Sequence, residues 1–348
     1  MGIEVAVTGL TKSFGPQTIW RDVSLTFPRG EISVMLGPSG TGKTVFLKTL
    51  MGLLKADSGS CLINGVDTVS CSERKLYETR RLLGVMFQDG ALFGSMSLYD
   101  NIAFPLREHT KKPEKEIRRI VLDRMAQVGL SGSEAKLPGE VSGGMRKRGG
   151  LARALVLDPE IILCDEPDSG QDPVRTSYMS QDLIDLNART DATILIVTHN
   201  LDIAQRVPDN LGMLFRGGLV GFGPREVMLT SDNPAVRQFL SAQRVGPIGM
   251  FEEKDDETIT RERAQLGHED DVLEPLEVPP QLEPSPGLPP RQALGRRAER
   301  LARMMPRLSA RAREAIEANF GPVDVHGPAH TQDFPPVPEI GHGDEGRP

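Results

Sequence analysis

Three features that would assign a protein to a class at once are missing from this sequence: a disulfide framework, a long apolar run and an excess of positive charge. Only three of the 348 residues are cysteines, and Cys61, Cys71 and Cys164 lack metal-ligand or framework spacing, which suits a reducing cytosol. There is no run of about 18 apolar residues and no signal-peptide pattern at the start, so we expect no segment that spans a membrane by itself. The net charge of −7 argues against non-specific binding to nucleic acid.

The composition instead predicts one folded domain followed by a long tail. Hydrophobic residues make up 38% of the chain, which is enough for a packed core. Of the 27 prolines, 15 lie in residues 241–348, and Glu252–Glu257 is an acidic run. We therefore predict a folded domain over residues 1–242, a linker rich in proline and acid over 243–289, a helical element over 290–320 and a disordered tail over 321–348.

The most specific signal is a glycine-rich loop, Gly37-Pro38-Ser39-Gly40-Thr41-Gly42-Lys43-Thr44, which matches the phosphate-binding pattern G-x-x-x-x-G-K-[ST]. An apolar strand precedes the loop and a helix follows it. Glycines let successive N–H groups turn toward phosphate oxygens, and the helix start adds its positive dipole end. Lys43 would contact the β- and γ-phosphates, and Thr44 would offer its hydroxyl to Mg²⁺. A purely structural glycine turn would match this pattern roughly once in a hundred chains of this length.

Polar side chains follow three further apolar runs that predict buried strands, at the point where each run ends. These side chains are Gln88, Asp165, Glu166 and His199. Because the carboxyl ends of parallel strands present their loops at one edge of a sheet, we expect these side chains to lie near Lys43.

Each of these side chains has a functional and a structural interpretation. Asp165 would hold Mg²⁺, and Glu166 would polarise the water that attacks the γ-phosphate. His199 would bridge that water and the phosphate, and the amide oxygen of Gln88 would reach the metal or the water. The alternatives are a strand-end cap for Gln88, an exposed acidic turn for the carboxylates and a structural role for His199.

Two further features gain meaning only from their context. Ser142-Gly143-Gly144 begins a helix and could hold a second anion, although such turns are also common helix caps. Phe14 could stack on a purine base, or it could be a core aromatic at a hairpin. We predict that about residues 91–150, which include this turn, form a helical insertion in the α/β core, with an amphipathic helix over Glu114–Val128.

The tail contains two arginine-rich segments, Arg291–Met305 and Leu308–Phe320, that each place apolar residues on one helical face. We predict a small helical hairpin that docks on its own domain or on a second copy. The alternatives are a solvated pair of charged helices and an element that touches a membrane surface.

In combination, these motifs resemble the nucleotide-binding subunit of ABC transporters over residues 3–240. That resemblance implies an α/β fold: a P-loop NTPase core of the ABC type, with a mixed sheet, an antiparallel β subdomain and a helical insertion. The family's functional positions fall on Phe14 for the base, Gly37–Thr44 and Val45 for the phosphates, Gln88, the signature Ser142-Gly143-Gly144, the pair Asp165-Glu166, the D-loop Ser169–Asp172 and the switch residue His199.

Departures from the usual family pattern narrow the resemblance to one group of ABC ATPases. Met145 stands where most members have glutamine, and Val141 and Gln171 stand where leucine is usual. The run Ser142–Arg148 and the stretch Phe87–Phe93 resemble the ATPases of Mce-type and Mla-type lipid transport systems. Residues 244–250 and the helical tail resemble the actinobacterial Mce-associated ATPase in particular.

The resemblance also implies a mechanism and partners. Two copies would face each other head to tail, with ATP between Lys43 of one copy and Ser142-Gly143-Gly144 of the other. Asp172 would be a further nucleotide-binding residue at this interface. The expected cofactors are ATP and Mg²⁺, and Glu166 would act as general base. A separate Mce-type or Mla-type permease would import lipids or sterols, with this chain at the inner face of the cell membrane.

Besides an ABC ATPase of a different importer, two alternatives stay open. A non-transport ABC protein would act on ribosomes or DNA, but such members resemble tandem chains with two phosphate loops or carry long coiled coils. This chain has one such loop, and only residues 45–141 separate it from the signature. The other alternative makes the tail a regulatory or dimerising module.

Overall fold

A computed structural model describes residues 2–249 and 277–321 of the chain. The centre of the fold is a six-stranded sheet in the order β10-β9-β3-β8-β7-β6. Its strands are β3 (Ile32–Leu36), β6 (Leu83–Met86), β7 (Ile161–Asp165), β8 (Thr193–Val197), β9 (Asn210–Phe215) and β10 (Gly218–Pro224).

Five strands of this sheet are parallel, and β10 pairs antiparallel with β9. Every residue of β3, β7, β8 and β9 is buried, as expected for parallel strands that are covered on both faces. The carboxyl ends of β3, β6, β7 and β8 therefore lie at one edge of the sheet, where the predicted site residues begin.

A second sheet is antiparallel, with the strand order β2-β1-β4-β5. Its strands are β1 (Val5–Phe14), β2 (Gln17–Phe27), β4 (Ser58–Ile63) and β5 (Val66–Asp67). Trp20 and Phe27 of β2 each make an edge-to-face contact with Phe46, at ring-centroid distances of 5.9 and 6.2 Å. These contacts join the second sheet to the helix that follows the phosphate loop, and the two sheets confirm the predicted fold class.

Helices connect the strands and cover the central sheet. They are α1 (Lys43–Leu50), α2 (Glu73–Arg80), α3 (Leu98–His109), α4 (Glu114–Gln127), α5 (Gly143–Leu155), α6 (Pro173–Thr190), α7 (Leu201–Arg206), α8 (Arg225–Leu229), α9 (Pro234–Leu240), α10 (Ala293–Met304) and α11 (Ala310–Phe320). Helices α3, α4 and α5 lie between β6 and β7 in the chain and pack on one another. Within the described ranges, no helix has the length and apolarity needed to cross a membrane.

The described part of the tail packs on its own domain. Residues 277–290 are non-helical, and the Leu282 amide donates to Arg206 O at 2.9 Å. Helices α10 and α11 share a small apolar cluster, in which Leu301, Met305 and Ile316 are buried together, with Val227 of α8 packed against them. The acidic run Glu252–Glu257 and the predicted disordered segment after Gly321 lie outside the described residues.

A buried cluster of ion pairs fastens α10 to the domain. The side chains of Arg291 and Arg297 both contact the carboxylate of Asp209, and Arg297 also donates to Glu226 Oε2 at 2.7 Å. Asp209 in turn accepts a hydrogen bond of 2.8 Å from the amide of Ile32, and Ile32 is the first residue of β3. Burial opposes ionisation of Asp209, but the two guanidinium groups outweigh it and hold the pKa of this carboxyl well below its usual range.

Candidate functional site

The phosphate loop leaves β3 at Gly37 and enters α1 at Lys43. Gly42 has a φ of 84°, in the left-handed region that favours glycine, and a Cβ at this position would lie 2.3 Å from Ile19 Cγ2. Glycine is therefore required both for the backbone conformation and for the close approach to β2. The N–H groups of the first turn of α1 have no partner within the helix, so they are free to bind an anion.

Lys43 places a buried ammonium group inside this loop. Its Nζ donates to Gly37 O at 2.8 Å and to Pro38 O at 3.0 Å. Burial lowers the pKa of Lys43, while the nearby Glu166 and Asp165 carboxylates oppose that effect. The ammonium group of Lys43 and the backbone amides of the glycine-rich loop are suited to bind the negatively charged phosphate groups of a nucleotide.

The hydroxyl of Thr44 lies against the carboxylate at the end of β7. Thr44 Oγ1 donates to Asp165 Oδ1 at 2.9 Å. Burial raises the pKa of Asp165, and the hydrogen bond from Thr44 opposes this effect. A hydroxyl and a carboxylate beside a phosphate loop are the hard oxygen ligands that Mg²⁺ prefers, so these two residues fit the ion.

Glu166 and His199 meet above the ends of β7 and β8. Nδ1 of His199 lies 3.2 Å from Glu166 Oε1. Glu166 has a φ of 45°, and its amide donates to Val197 O at 2.9 Å. The exposed side-chain fractions are 51% for His199 and 19% for Glu166, so both groups are accessible to a substrate and to water.

The turn after Glu166 collects side chains from three other elements. The Gln88 amide donates to Ser169 Oγ at 3.2 Å, and Thr198 Oγ1 donates to Asp168 Oδ1 at 2.8 Å. The third side chain is Lys147 of α5, whose ammonium contacts backbone carbonyls of the turn. The sequence did not single out Lys147, because a lysine in a basic helix is usually a surface cation. Its position one helical turn after Ser142-Gly143-Gly144 is the feature that could have indicated a role in the site.

The predicted signature turn lies at the exposed start of α5. Ser142 is the N-cap, and its Oγ accepts from the Met145 amide at 3.3 Å. Ser142 and Gly143 are exposed and Gly144 is half-buried. The cap role and an anion-binding role both remain compatible with this geometry.

The remaining predicted residues lie around this centre. Phe14 ends β1 and is 47% exposed, so the alternative of a core aromatic is wrong; Lys12 Nζ lies 5.2 Å from its ring centroid. Asp172 caps α6, and its Oδ1 accepts from the Arg175 amide at 3.0 Å. Val45 lies half-buried in the first turn of α1.

The structure brings the predicted residues together in direct contact pairs: Thr44 with Asp165, and Glu166 with His199. Gln88 contacts Ser169 of the D-loop. Ser142 contacts its own helix, and Phe14 lies at the tip of the antiparallel sheet.

A phosphate loop on a parallel sheet, with a carboxylate pair and a histidine at the neighbouring strand ends, defines an ATPase of the P-loop class. The chain belongs to the ABC transporter family, whose profile matches residues 20–169. It is therefore the ATPase subunit of a transporter.

Curated relatives cover most of the chain. A protein of Mycobacterium tuberculosis named "Probable ribonucleotide transport ATP-binding protein mkl" is 64% identical over 319 residues, which is 91% of this chain and 89% of the relative. The Escherichia coli K12 "Intermembrane phospholipid transport system ATP-binding protein MlaF" is 37% identical over 234 residues, which is 67% of this chain and 87% of the relative.

Solved structures show the same architecture. The dimeric post-hydrolysis structure of the ATP-binding cassette MJ0796 with ADP and Pi has a TM-score of 0.60 and 27% sequence identity, and it matches 64% of this chain and 98% of that chain. The cbiO1 subunit of the cbiONQ transporter from Clostridium perfringens has a TM-score of 0.60 and 26% identity, and it matches 68% of this chain and 94% of that chain.

Proposed function

We propose that this ATPase energises a separate Mce-type membrane permease that imports lipids or sterols, and that it works at the inner, cytoplasmic face of the cell membrane. The likeness to MlaF, whose name states phospholipid transport, supports a lipid substrate. The name of the mycobacterial relative states ribonucleotide transport, which makes a nucleotide the second candidate substrate.

The observation that carries the catalytic part of the proposal is the position of Glu166 beside His199, one residue after the carboxylate that contacts Thr44. Lys43 and the amides at the start of α1 would bind the β- and γ-phosphates of ATP. Glu166 would accept the proton of the attacking water, and His199 would orient that water. Thr44, Asp165 and Gln88 would hold Mg²⁺, which when bound neutralises phosphate charge.

A second copy of the chain would complete the site. The exposed start of α5 supports this arrangement, because a helix N-terminus that faces solvent can bind the phosphates of ATP held by another copy. Phe14 would stack on the base, and Asp172 would lie at the interface between copies. The solved structures in which the MJ0796 cassette is dimeric lend further support.

The permease would contact the helical insertion near Gln88–Leu106. Phe93 is 44% exposed and stacks edge-on against Phe104 at a centroid distance of 5.2 Å, which offers an apolar contact on this side.

Purification of the tagged protein from its native membranes, followed by mass spectrometry of the complex, tests the permease and the cargo together. We expect an integral permease and bound lipid to copurify. A complex that instead retains a ribonucleotide other than the ATP or ADP bound by this chain, and no lipid above that of a mock purification, would replace the lipid by the second candidate. Dimerisation is tested separately by light scattering of Glu166→Gln with ATP; the variant stays monomeric if the shared site is wrong.

A further inference from the structure

Lys147 is a buried lysine whose whole hydrogen-bonding capacity is directed at one turn. It lies in the second turn of α5 and is only 4% exposed. Its Nζ donates to Glu166 O at 3.4 Å, to Pro167 O at 3.2 Å and to Ser169 O. An ammonium group has three N–H donors, and these three carbonyls account for all of them.

This arrangement is costly unless the position of the turn matters. A buried cation loses its hydration, and no carboxylate oxygen is among the three atoms that its Nζ contacts. Burial lowers the pKa of Lys147, and the carboxylates of Asp168, Asp89 and Glu166 oppose that effect from a greater distance. The three carbonyl oxygens thus replace water around the ammonium group. The same hydrogen bonds fix the position of these carbonyls.

The turn itself has a conformation that needs support. Glu166 is a non-glycine residue at φ 45°, in the left-handed region, and Gly170 follows at φ 69°. Such a conformation persists only where surrounding contacts determine it. Gln88 and Thr198 hold the turn by side-chain bonds from neighbouring strand ends, and Lys147 alone among these three holds it from α5.

We infer that Lys147 is a positioning residue for hydrolysis, which fixes the turn carrying Glu166 to the helix that begins at Ser142. This inference rests on the proposed function. The start of α5 would contact the ATP held by the second copy, while Glu166 acts on the ATP held by this copy. Lys147 therefore joins the helix that would contact one nucleotide to the turn whose Glu166 would act on the other.

The test compares Lys147→Met with Arg153→Met in the full chain. Arg153 is also on α5, and its guanidinium also donates to backbone carbonyls, those of Gly90 and Ala91, so it is a matched control. We measure peptide-level hydrogen exchange without nucleotide, affinity for a fluorescent ATP analogue, and kcat and KM for ATP.

For Lys147→Met we expect faster exchange in the peptides that cover residues 166–171. These peptides include the amides of Ser169 and Gln171, which bond within the turn to Glu166 O and Asp168 O. We expect kcat to fall by about 10- to 100-fold, as for a small misplacement of a catalytic group, with nucleotide affinity and KM within about twofold. Arg153→Met should leave exchange over residues 166–171 unchanged.

Unchanged exchange over residues 166–171 in Lys147→Met would overturn the inference, and so would unchanged kcat. An equal loss of nucleotide affinity and kcat would also overturn it, since that indicates general damage. If Lys147→Met does not fold, Lys147→Gln, which retains two donors, is judged by the same criteria. The exchange measurement needs neither ATP nor a dimer, so its failure is distinguishable from failure of the proposed function.

Discussion

Nδ1 of His199 lies 3.2 Å from Oε1 of Glu166, although 33 residues separate them in the chain. The two residues meet because β7 and β8 are adjacent parallel strands that end at the same edge of the sheet. The contact places the carboxylate and the imidazole side by side near the phosphate loop. Substituting each residue alone therefore separates their contributions to hydrolysis.

Glu166→Gln should bind ATP normally and lose steady-state hydrolysis by about 100- to 10,000-fold, because the amide cannot accept a proton from water. Phosphate release and nucleotide binding are measured on the same preparation. Glu78→Gln, which removes an exposed carboxylate on α2, is the control and should keep full activity. Normal turnover by Glu166→Gln would show that Glu166 is not the general base.

His199→Ala should lower kcat by less than Glu166→Gln does, since the imidazole orients the water and does not take its proton. The control is His109→Ala, which removes a half-buried histidine that contacts Tyr77 on the surface of the domain. Steady-state kinetics at saturating ATP compare the two variants. Equal activity of His199→Ala and His109→Ala would show that His199 is structural.

Asp165→Asn should weaken the affinity for Mg²⁺, so that a higher Mg²⁺ concentration is needed for the half-maximal rate of ATP hydrolysis. The reason is that the carboxylate beside Thr44 supplies the negative charge that the ion needs. Asp158→Asn is the control, in the connection that precedes the same strand, where Asp158 contacts Arg124. A Mg²⁺ titration that is identical for wild type and Asp165→Asn would contradict this role, and chelation of Mg²⁺ should stop hydrolysis in both.

Asp209→Asn should destabilise the protein by about 3–5 kcal/mol at neutral pH, because Arg291 and Arg297 lose their shared buried carboxylate. The pKa of Asp209 is lowered in the folded state, so its contribution is complete above its ordinary value of about 4 and is lost as the pH falls further. Urea unfolding of wild type and variant between pH 7 and pH 3 should show a difference that shrinks at the acid end. A difference independent of pH would contradict the ion-pair explanation.

Ending the chain at Gly249 should lower the free energy of unfolding by more than about 3 kcal/mol, since Asp209 and Glu31 would lose their partners Arg291, Arg297 and Arg300. Urea unfolding measures the change, and light scattering with ATP reports self-association. If the truncated protein keeps its stability, dimerisation and ATPase activity, the tail contributes to none of these properties.

The sequence by itself determined the parts of this protein that depend on neighbours in the chain. The strand, glycine loop and helix around Lys43 form a local unit, so its position and its affinity for phosphate can be read from consecutive residues. The ends of the apolar strands before Gln88, Asp165 and His199 are local too, and one rule about parallel strands was enough to predict that they share an edge.

Only the tertiary structure decided which charged side chains are buried and which carbonyls they hold. Arg297 and Arg307 look alike in an arginine-rich tail, yet Arg297 is fully buried on Asp209 and Glu226 while Arg307 is exposed. Lys147 likewise resembles its neighbour Arg148 until α5 is packed against the turn after Glu166. The physical reason is that burial and hydrogen-bond partners belong to the space around a side chain, and elements far apart in the sequence create that space.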